Sequence, residues 1–122
     1  MYKVKKMIKL EDFVSETLKE IINGVAEAQL HAATKNARVN PGGLNFRTDQ
    51  GVVKLWDPST GQIAQEVHFD VAVTATEGTE TKGGIGIFVG ALGLGSQGHS
   101  EKEKSVVSRI SFDVPIILPT QN

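Results

Sequence analysis

The chain of 122 residues contains no cysteine, so neither a disulfide nor a thiolate-bound metal can stabilise its fold or take part in its chemistry. An excess of positive charge is also missing, because the formal net charge is -1. Proteins that bind DNA without sequence preference usually carry a basic face. The charge balance therefore gives no support to a DNA-binding function.

Long apolar segments are absent as well. Residues 1–14, MYKVKKMIKLEDFV, have the positive start of a secretory signal but lack the apolar stretch that follows it in such signals. No other apolar run is long enough to span a bilayer. We therefore expect a cytosolic protein without a membrane contact, folded as a single domain over residues 1–122 with a modest core.

One amphipathic helix is predicted from Leu10 to about Asn36, because apolar residues recur there at spacings of three and four. The sequence NPGG at Asn40–Gly43 should stop it. The apolar stripe is wide, so the helix must lie on a sheet or on another subunit. Its members are Leu10, Phe13, Val14, Leu18, Ile21, Ile22, Val25, Ala28 and Ala32.

The rest of the chain shows the period of two that is typical of strands. Leu44–Thr48 and Val52–Trp56 flank a turn signal and predict a hairpin. Three longer strands are predicted at QEVHFDVAVTAT (65–76), at the glycine-rich segment around residue 86, and at SVVSRISFDVPIIL (105–118). Together with the helix they predict an α+β fold, in which the N-terminal helix packs on a mainly antiparallel sheet of an oligomeric protein.

The last strand contains a proline. Pro115 cannot donate a hydrogen bond to a neighbouring strand, so we expect that end of the strand at an edge or a bulge.

The glycine-rich strand has an unusual pattern. Apolar residues take the odd positions of this segment, while glycines take most of the even ones: Ile85, Ile87 and Val89 against Gly84, Gly86 and Gly90. Glycine costs about 0.5–1 kcal/mol per strand position relative to alanine and packs no side chain. Such a row suggests that something approaches the backbone closely.

Three interpretations of this sparse face remain open. It is the contact surface of a homodimer, the floor of a shallow ligand site, or a solvent-exposed surface that tolerates glycine. The first two are compatible, because pockets often form where subunits meet. In the ligand interpretation Phe88 supplies a stacking surface and Arg109 the charged contact.

Arg109 is the most informative single residue, because its guanidinium emerges from a strand and its planar set of donors fits a phosphate or a carboxylate. The competing interpretation is a cross-strand ion pair with Asp70 or Asp113. Arg47 and Lys82 are further cations near strand ends. The candidate ligand-binding residues are Arg109, Phe88, Gly84, Gly86, Arg47, Lys82 and Asp113.

Enzymatic interpretations have little support. The three histidines His31, His68 and His99 lie in a predicted helix, strand and loop, and no metalloprotease or nucleophile motif is present. The segment KGGIGIF lacks the ending of a phosphate-binding loop and does not open a helix. We therefore predict a binding protein that has no catalytic residues, no cofactor and no metal.

These segments together resemble one protein family. The N-terminal helix, HFDVAVTAT, KGGIGIFVGALGLGSQ and SVVSRISFDVPIILP are similar to the first-described family of phage Thoeris anti-defence proteins, over nearly the whole chain. The GGI and SxSRI pattern also resembles a small domain found beside trypsin-like peptidases in bacteria, which would imply a protein-interaction module.

The first resemblance implies a specific function. Members of that family bind the cyclic ADP-ribose isomer made by TIR-domain proteins and sequester it without cleaving it, in the cytoplasm of the infected bacterium. It also implies homodimers, which can assemble into hexamers, and separate sites for cyclic di- or trinucleotides. Arg109 matches the arginine of the family's nucleotide pocket.

Overall fold

A computed structural model describes residues 8–77, 84–90 and 105–121 of the chain. The architecture is α+β, with one N-terminal helix packed on an antiparallel sheet, as the sequence predicts. The elements are α1 (Leu10–Ala33), β1 (Arg38–Val39), β2 (Asn45–Asp49), β3 (Val52–Trp56), β4 (Gln65–Glu77), β5 (Ile85–Val89) and β6 (Ser105–Ile117).

Four strands form one sheet in the order β1-β6-β4-β5, while β2 and β3 form a separate two-stranded sheet. β1 pairs antiparallel with β6, and β5 pairs antiparallel with β4. The chain divides into two compact units. The first unit comprises Met1–Ile22 with Asp70–Ser111, and the second comprises Asn23–Phe69 with Phe112–Asn122.

Helix α1 starts where the sequence predicts and ends three residues earlier. Two acidic residues in its first turn suit the positive end of the helix dipole. The predicted last turn is instead a cap, in which Asn36 adopts a left-handed φ of 58° and Ala37 N donates to Ala32 O at 3.0 Å. In the part of the chain that the structure describes, no helix has the length and apolar character needed to cross a membrane.

The apolar side of α1 is only partly covered in its first half. Thr17 is buried, yet a row at four-residue spacing remains open to solvent. This exposed helix row consists of Leu10, Val14, Leu18 and Ile22, which are 76%, 44%, 51% and 62% exposed. Four such side chains in line form an apolar surface larger than isolated exposed residues would.

In the first unit, the core forms where β4 and β5 pair. The register sets Val73 opposite Val89 and Ala75 opposite Ile87, so the apolar odd positions share one face. Val73, Ala75 and Ile85 are buried. The register therefore places the predicted apolar positions of the two strands on one face, but burial does not alternate, because Thr74 on the other face is also buried and Val89 at the end of β5 is exposed.

In the second unit, Phe69 and Phe112 stack with ring centroids 4.9 Å apart, and Val114 is buried. Short strand β1 lies beside the end of β6 and was not predicted. Its pairing stops after Val39, where Asn40 N donates to Pro115 O at 2.7 Å. Because proline offers no N–H, the strand pairing ends beside Pro115.

Asp57 organises the turn that follows β3. Its Oδ1 accepts hydrogen bonds from Ser59 N at 2.9 Å and Ser59 Oγ at 2.8 Å, and its Oδ2 forms an ion pair with Arg38 of β1. Its carbonyl accepts from Gly61 N at 2.7 Å. The bonds from Ser59, followed by the Arg38 ion pair, lower the pKa of Asp57 to about 2.

This lowered pKa predicts a specific loss of stability in acid. The Asp57 carboxylate stabilises the fold above its ordinary pKa of 3.8, and this stabilisation is lost as the pH falls towards 2. In urea unfolding at several pH values, Asp57→Asn should lower the free energy of unfolding at pH 6 and flatten its decrease between pH 4 and 2. Glu27→Gln is the control, because this exposed carboxylate on α1 forms no ion pair among the described residues. Equal pH profiles for wild type and Asp57→Asn would contradict the prediction.

Candidate functional site

One face of strands β5, β4 and β6 in the first unit carries most of the candidate side chains. The register pairs Thr74 with Phe88 and Thr76 with Gly86, so these residues share a face with Asp70. The contact between Arg109 and Asp70 places Arg109 on that face as well. We name it the polar face; its members are Asp70, Thr74, Thr76, Gly86, Phe88, Arg109 and Ser111.

Arg109 is held in place by Asp70. Its Nε donates to Asp70 Oδ1 at 2.8 Å, a longer contact of 3.5 Å joins Nη2 to Oδ2, and Ser111 Oγ donates to Oδ1 at 3.3 Å. The hydrogen bond and the charge of Asp70 raise the pKa of Arg109. The cross-strand ion pair that the sequence left open is therefore present.

The ion pair does not use all of Arg109. A guanidinium has five N–H donors, and the contacts with Asp70 engage two of them. The Arg109 side chain is 71% exposed, so the remaining donors face solvent. Arg109 is thus a partly neutralised but oriented anion contact, which can make a further two-point bond to a phosphate.

Phe88 covers Gly86. A Cβ on Gly86 would lie 2.9 Å and 3.1 Å from two carbons of the Phe88 ring, both shorter than ordinary contacts. The ring therefore lies against the glycine backbone, and Gly86 is bare because an aromatic side chain occupies that space. Phe88 remains 52% exposed, so its outer surface is available for stacking.

The other two glycines of this row have a conformational reason. Gly84 and Gly90 flank β5 with φ values of 78° and 101°, a region that residues with a Cβ rarely adopt. Gly90 also ties the strand end to β4: its N–H donates to Ala72 O at 2.7 Å, and its carbonyl accepts from Thr74 Oγ1 at 2.7 Å. The polar face is consequently more filled than the glycine pattern predicts.

The arrangement places an aromatic surface and a cation on two strands of the same sheet that are not adjacent. Phe88 and Arg109 belong to strands on either side of β4. Neighbouring strands lie about 4.8 Å apart, so the two strands are roughly 10 Å apart across the sheet, and the offset of the two residues along the strands adds to their separation. A ligand with a planar ring and an anionic group several bonds away can reach both.

Three predicted residues are not part of the described first unit. Asp113 belongs to the second unit, where its Oδ1 is 2.7 Å from His68 Nδ1. Arg47 is on β2 in that unit, and Lys82 lies outside the described residues. The structure thus groups Arg109, Phe88 and Gly86 on the polar face, with Gly84 at the end of β5.

The β2–β3 hairpin carries a second surface with an aromatic ring and a cation, which the sequence analysis did not predict. Arg47 lies over the ring of Trp56 at 5.7 Å, beside an open groove of about 440 Å³ lined by Leu44, Asn45, Phe46, Arg47 and Trp56. Alternation across the predicted hairpin could have indicated it, because Arg47 and Trp56 fall on the same face.

The described residues contain no group of three or more neighbouring side chains that could hold a metal ion.

Comparison with known proteins adds no relative: no family model matches the chain, and neither a curated protein nor a solved structure is significantly similar to it.

The contact between Phe88 and Gly86 can be tested directly. Gly86→Ala should push the Phe88 ring away, because the new Cβ would stand 2.9 Å from a ring carbon. The fold should survive, since the ring is half-exposed and can rotate. We expect the nuclear Overhauser contacts between residue 86 and the Phe88 ring to weaken and the ring resonances to shift. Gly24→Ala is the control, because no atom lies within 4 Å of that added Cβ. Unchanged Phe88 resonances in Gly86→Ala would contradict the geometry.

Proposed function

We propose that this protein binds and sequesters, without cleaving it, a cyclic ADP-ribose isomer made by bacterial TIR-domain proteins, and that it thereby blocks Thoeris immunity in the cytoplasm of a phage-infected cell. The ligand class comes from the resemblance of the helix, HFDVAVTAT, glycine-rich and SRISF segments to the Thoeris anti-defence family. The structural support is the polar face, where an exposed aromatic ring and an oriented arginine lie on the same face of one sheet.

The chemistry of the ligand matches these groups. A cyclic ADP-ribose isomer contains an adenine and two phosphates. Phe88 offers a half-exposed ring for the adenine, and Arg109 offers unused N–H donors for a phosphate. Because Asp70 already holds the guanidinium, little side-chain entropy would be lost when the phosphate binds.

Effective sequestration requires tight binding. A nanomolar dissociation constant corresponds to about -12 kcal/mol, which an open sheet face supplies less readily than an enclosed pocket. We therefore propose that the protein acts as a homo-oligomer, a dimer or hexamer, in which a second subunit encloses the ligand. The exposed helix row supports self-association, because such a surface favours burial.

The same helix row supports a second candidate function, a protein-interaction domain of the kind found beside trypsin-like peptidases. Leu10, Val14, Leu18 and Ile22 could contact a different protein as well as another copy of the chain. In that case the polar face would bind no nucleotide.

One experiment separates these functions. Purified protein is incubated with the cyclic ADP-ribose isomer, the free ligand is measured after ultrafiltration, and the retained fraction is then heated and analysed by liquid chromatography. A sequestering protein depletes the free ligand and releases it intact on heating. An altered product would identify an enzyme, and no depletion would favour the interaction domain.

Arg109 provides the sharpest test of the site. Arg109→Ala should weaken binding of the isomer by at least about tenfold, because a charge-assisted contact to the phosphate is lost. Arg109→Lys should restore only part of the affinity, since an ammonium cannot reproduce the planar set of donors. Titration calorimetry measures both variants.

The control variant is Lys19→Ala, which removes one exposed positive charge from α1. It should bind like the wild type. Melting curves should be similar for all variants, because the ion pair of Arg109 is exposed and such pairs contribute little to stability. An unchanged affinity of Arg109→Ala would assign Arg109 a structural role only.

A further inference from the structure

The β2–β3 hairpin in the second unit is open along one edge. In the part of the chain that the structure describes, β2 pairs only with β3, and every β2 residue is exposed. Phe46 near its centre is 71% exposed. An isolated two-stranded sheet is marginally stable, and an unpaired edge is a template for another strand.

The turn determines which backbone groups point outward. Gln50 and Gly51 both have positive φ values, 53° and 81°, the pattern of a two-residue type I′ hairpin turn. Such a turn makes Asp49 and Val52 a hydrogen-bonded pair. By alternation, the N–H and C=O groups of Phe46 and Thr48 point away from β3, towards the open edge.

The charges on this hairpin are unbalanced. Arg47 lies directly opposite Lys54, and like charges at such a position are destabilising. Within the described residues neither side chain forms an ion pair, and Arg47 has only its contact with the Trp56 ring. Asp49 lies two residues further along the same face of β2 and forms no ion pair among the described residues either.

We infer that β2 pairs antiparallel with β2 of a second copy of this chain, in the register that sets Arg47 opposite Asp49 of the partner subunit. The twofold axis then passes through Thr48, which exchanges both of its outward backbone hydrogen bonds with Thr48 of the partner subunit. Two Arg–Asp pairs form, one on each side of the axis. Each brings a carboxylate to the like-charged pair of Arg47 and Lys54, and the two hairpins become one four-stranded sheet.

Charge selects this register over its neighbours. The outward groups of an antiparallel pair must meet, so even-numbered residues of the two β2 strands must lie opposite one another, and the register can change only in steps that preserve this. One step away, Arg47 would face Arg47 of the partner subunit; one step the other way, Asp49 would face Asp49 of the partner subunit. The proposed register lies between these two. Of the three, it is the one that sets an arginine opposite an aspartate on both sides of the twofold axis.

Charge reversal tests the pairing. R47D and D49R should each set like charges opposite one another and lose this contact. A mixture of the two should associate again, because the R47D chain carries acids at both positions and the D49R chain carries arginines at both. Opposite charges would then meet on each side of the axis. The double variant R47D/D49R should likewise associate with itself.

Sedimentation velocity measures the outcome. The mass of R47D alone and of D49R alone should be half that of the wild type, while the mixture and the double variant should recover the wild-type mass. K35D is the control, since it makes the same charge change in the turn after α1 and should keep the wild-type mass. Melting curves check folding, and recovery in the mixture itself requires folded chains. Wild-type mass in either single variant, or a mixture that stays at the reduced mass, would overturn the pairing.

Discussion

Strand β4 is the element on which the arrangement of the first unit depends, because it is hydrogen-bonded on both sides. β6 lies along one edge and β5 along the other. In its C-terminal half three successive residues, Val73, Thr74 and Ala75, are buried, so both faces of the strand are covered there. Thr74 is satisfied at this position because its hydroxyl donates to Gly90 O. The two faces of β4 therefore separate an apolar core from the polar face that carries Arg109 and Phe88.

The polar face is ordered by two local interactions of different kinds. Asp70 orients Arg109 through charge and hydrogen bonding, while the Gly86 backbone provides a flat surface for the Phe88 ring. Both interactions leave part of the functional group exposed: unused N–H donors on the guanidinium and one side of the ring. A side chain that is positioned before the ligand arrives loses less entropy on binding. This preorganisation is the physical reason for assigning ligand binding to this surface, in the proposed function.

The exposed apolar and unpaired surfaces are the second general feature of the molecule. The helix row on α1 and the open edge of β2 leave apolar side chains and backbone hydrogen-bonding groups in water. Neither is compensated within the described residues. In the proposed oligomer both are natural contact surfaces, and they differ physically: the helix row would associate by hydrophobic burial, whereas the β2 edge would associate through backbone hydrogen bonds selected by charge.

The sequence by itself determined the element types and their faces, because periods of 3.6 and 2 depend only on which positions are apolar. The helix from Leu10, the hairpin around Gln50-Gly51 and the alternation of the three long strands were predicted in this way. Strand β1 was not, since its two residues are too few to show a period. Only the tertiary structure decided the partners: that Arg109 meets Asp70, that Asp113 meets His68, and that Phe88 covers Gly86. The physical reason is that side-chain partners depend on strand order and register, which bring together residues far apart in the chain.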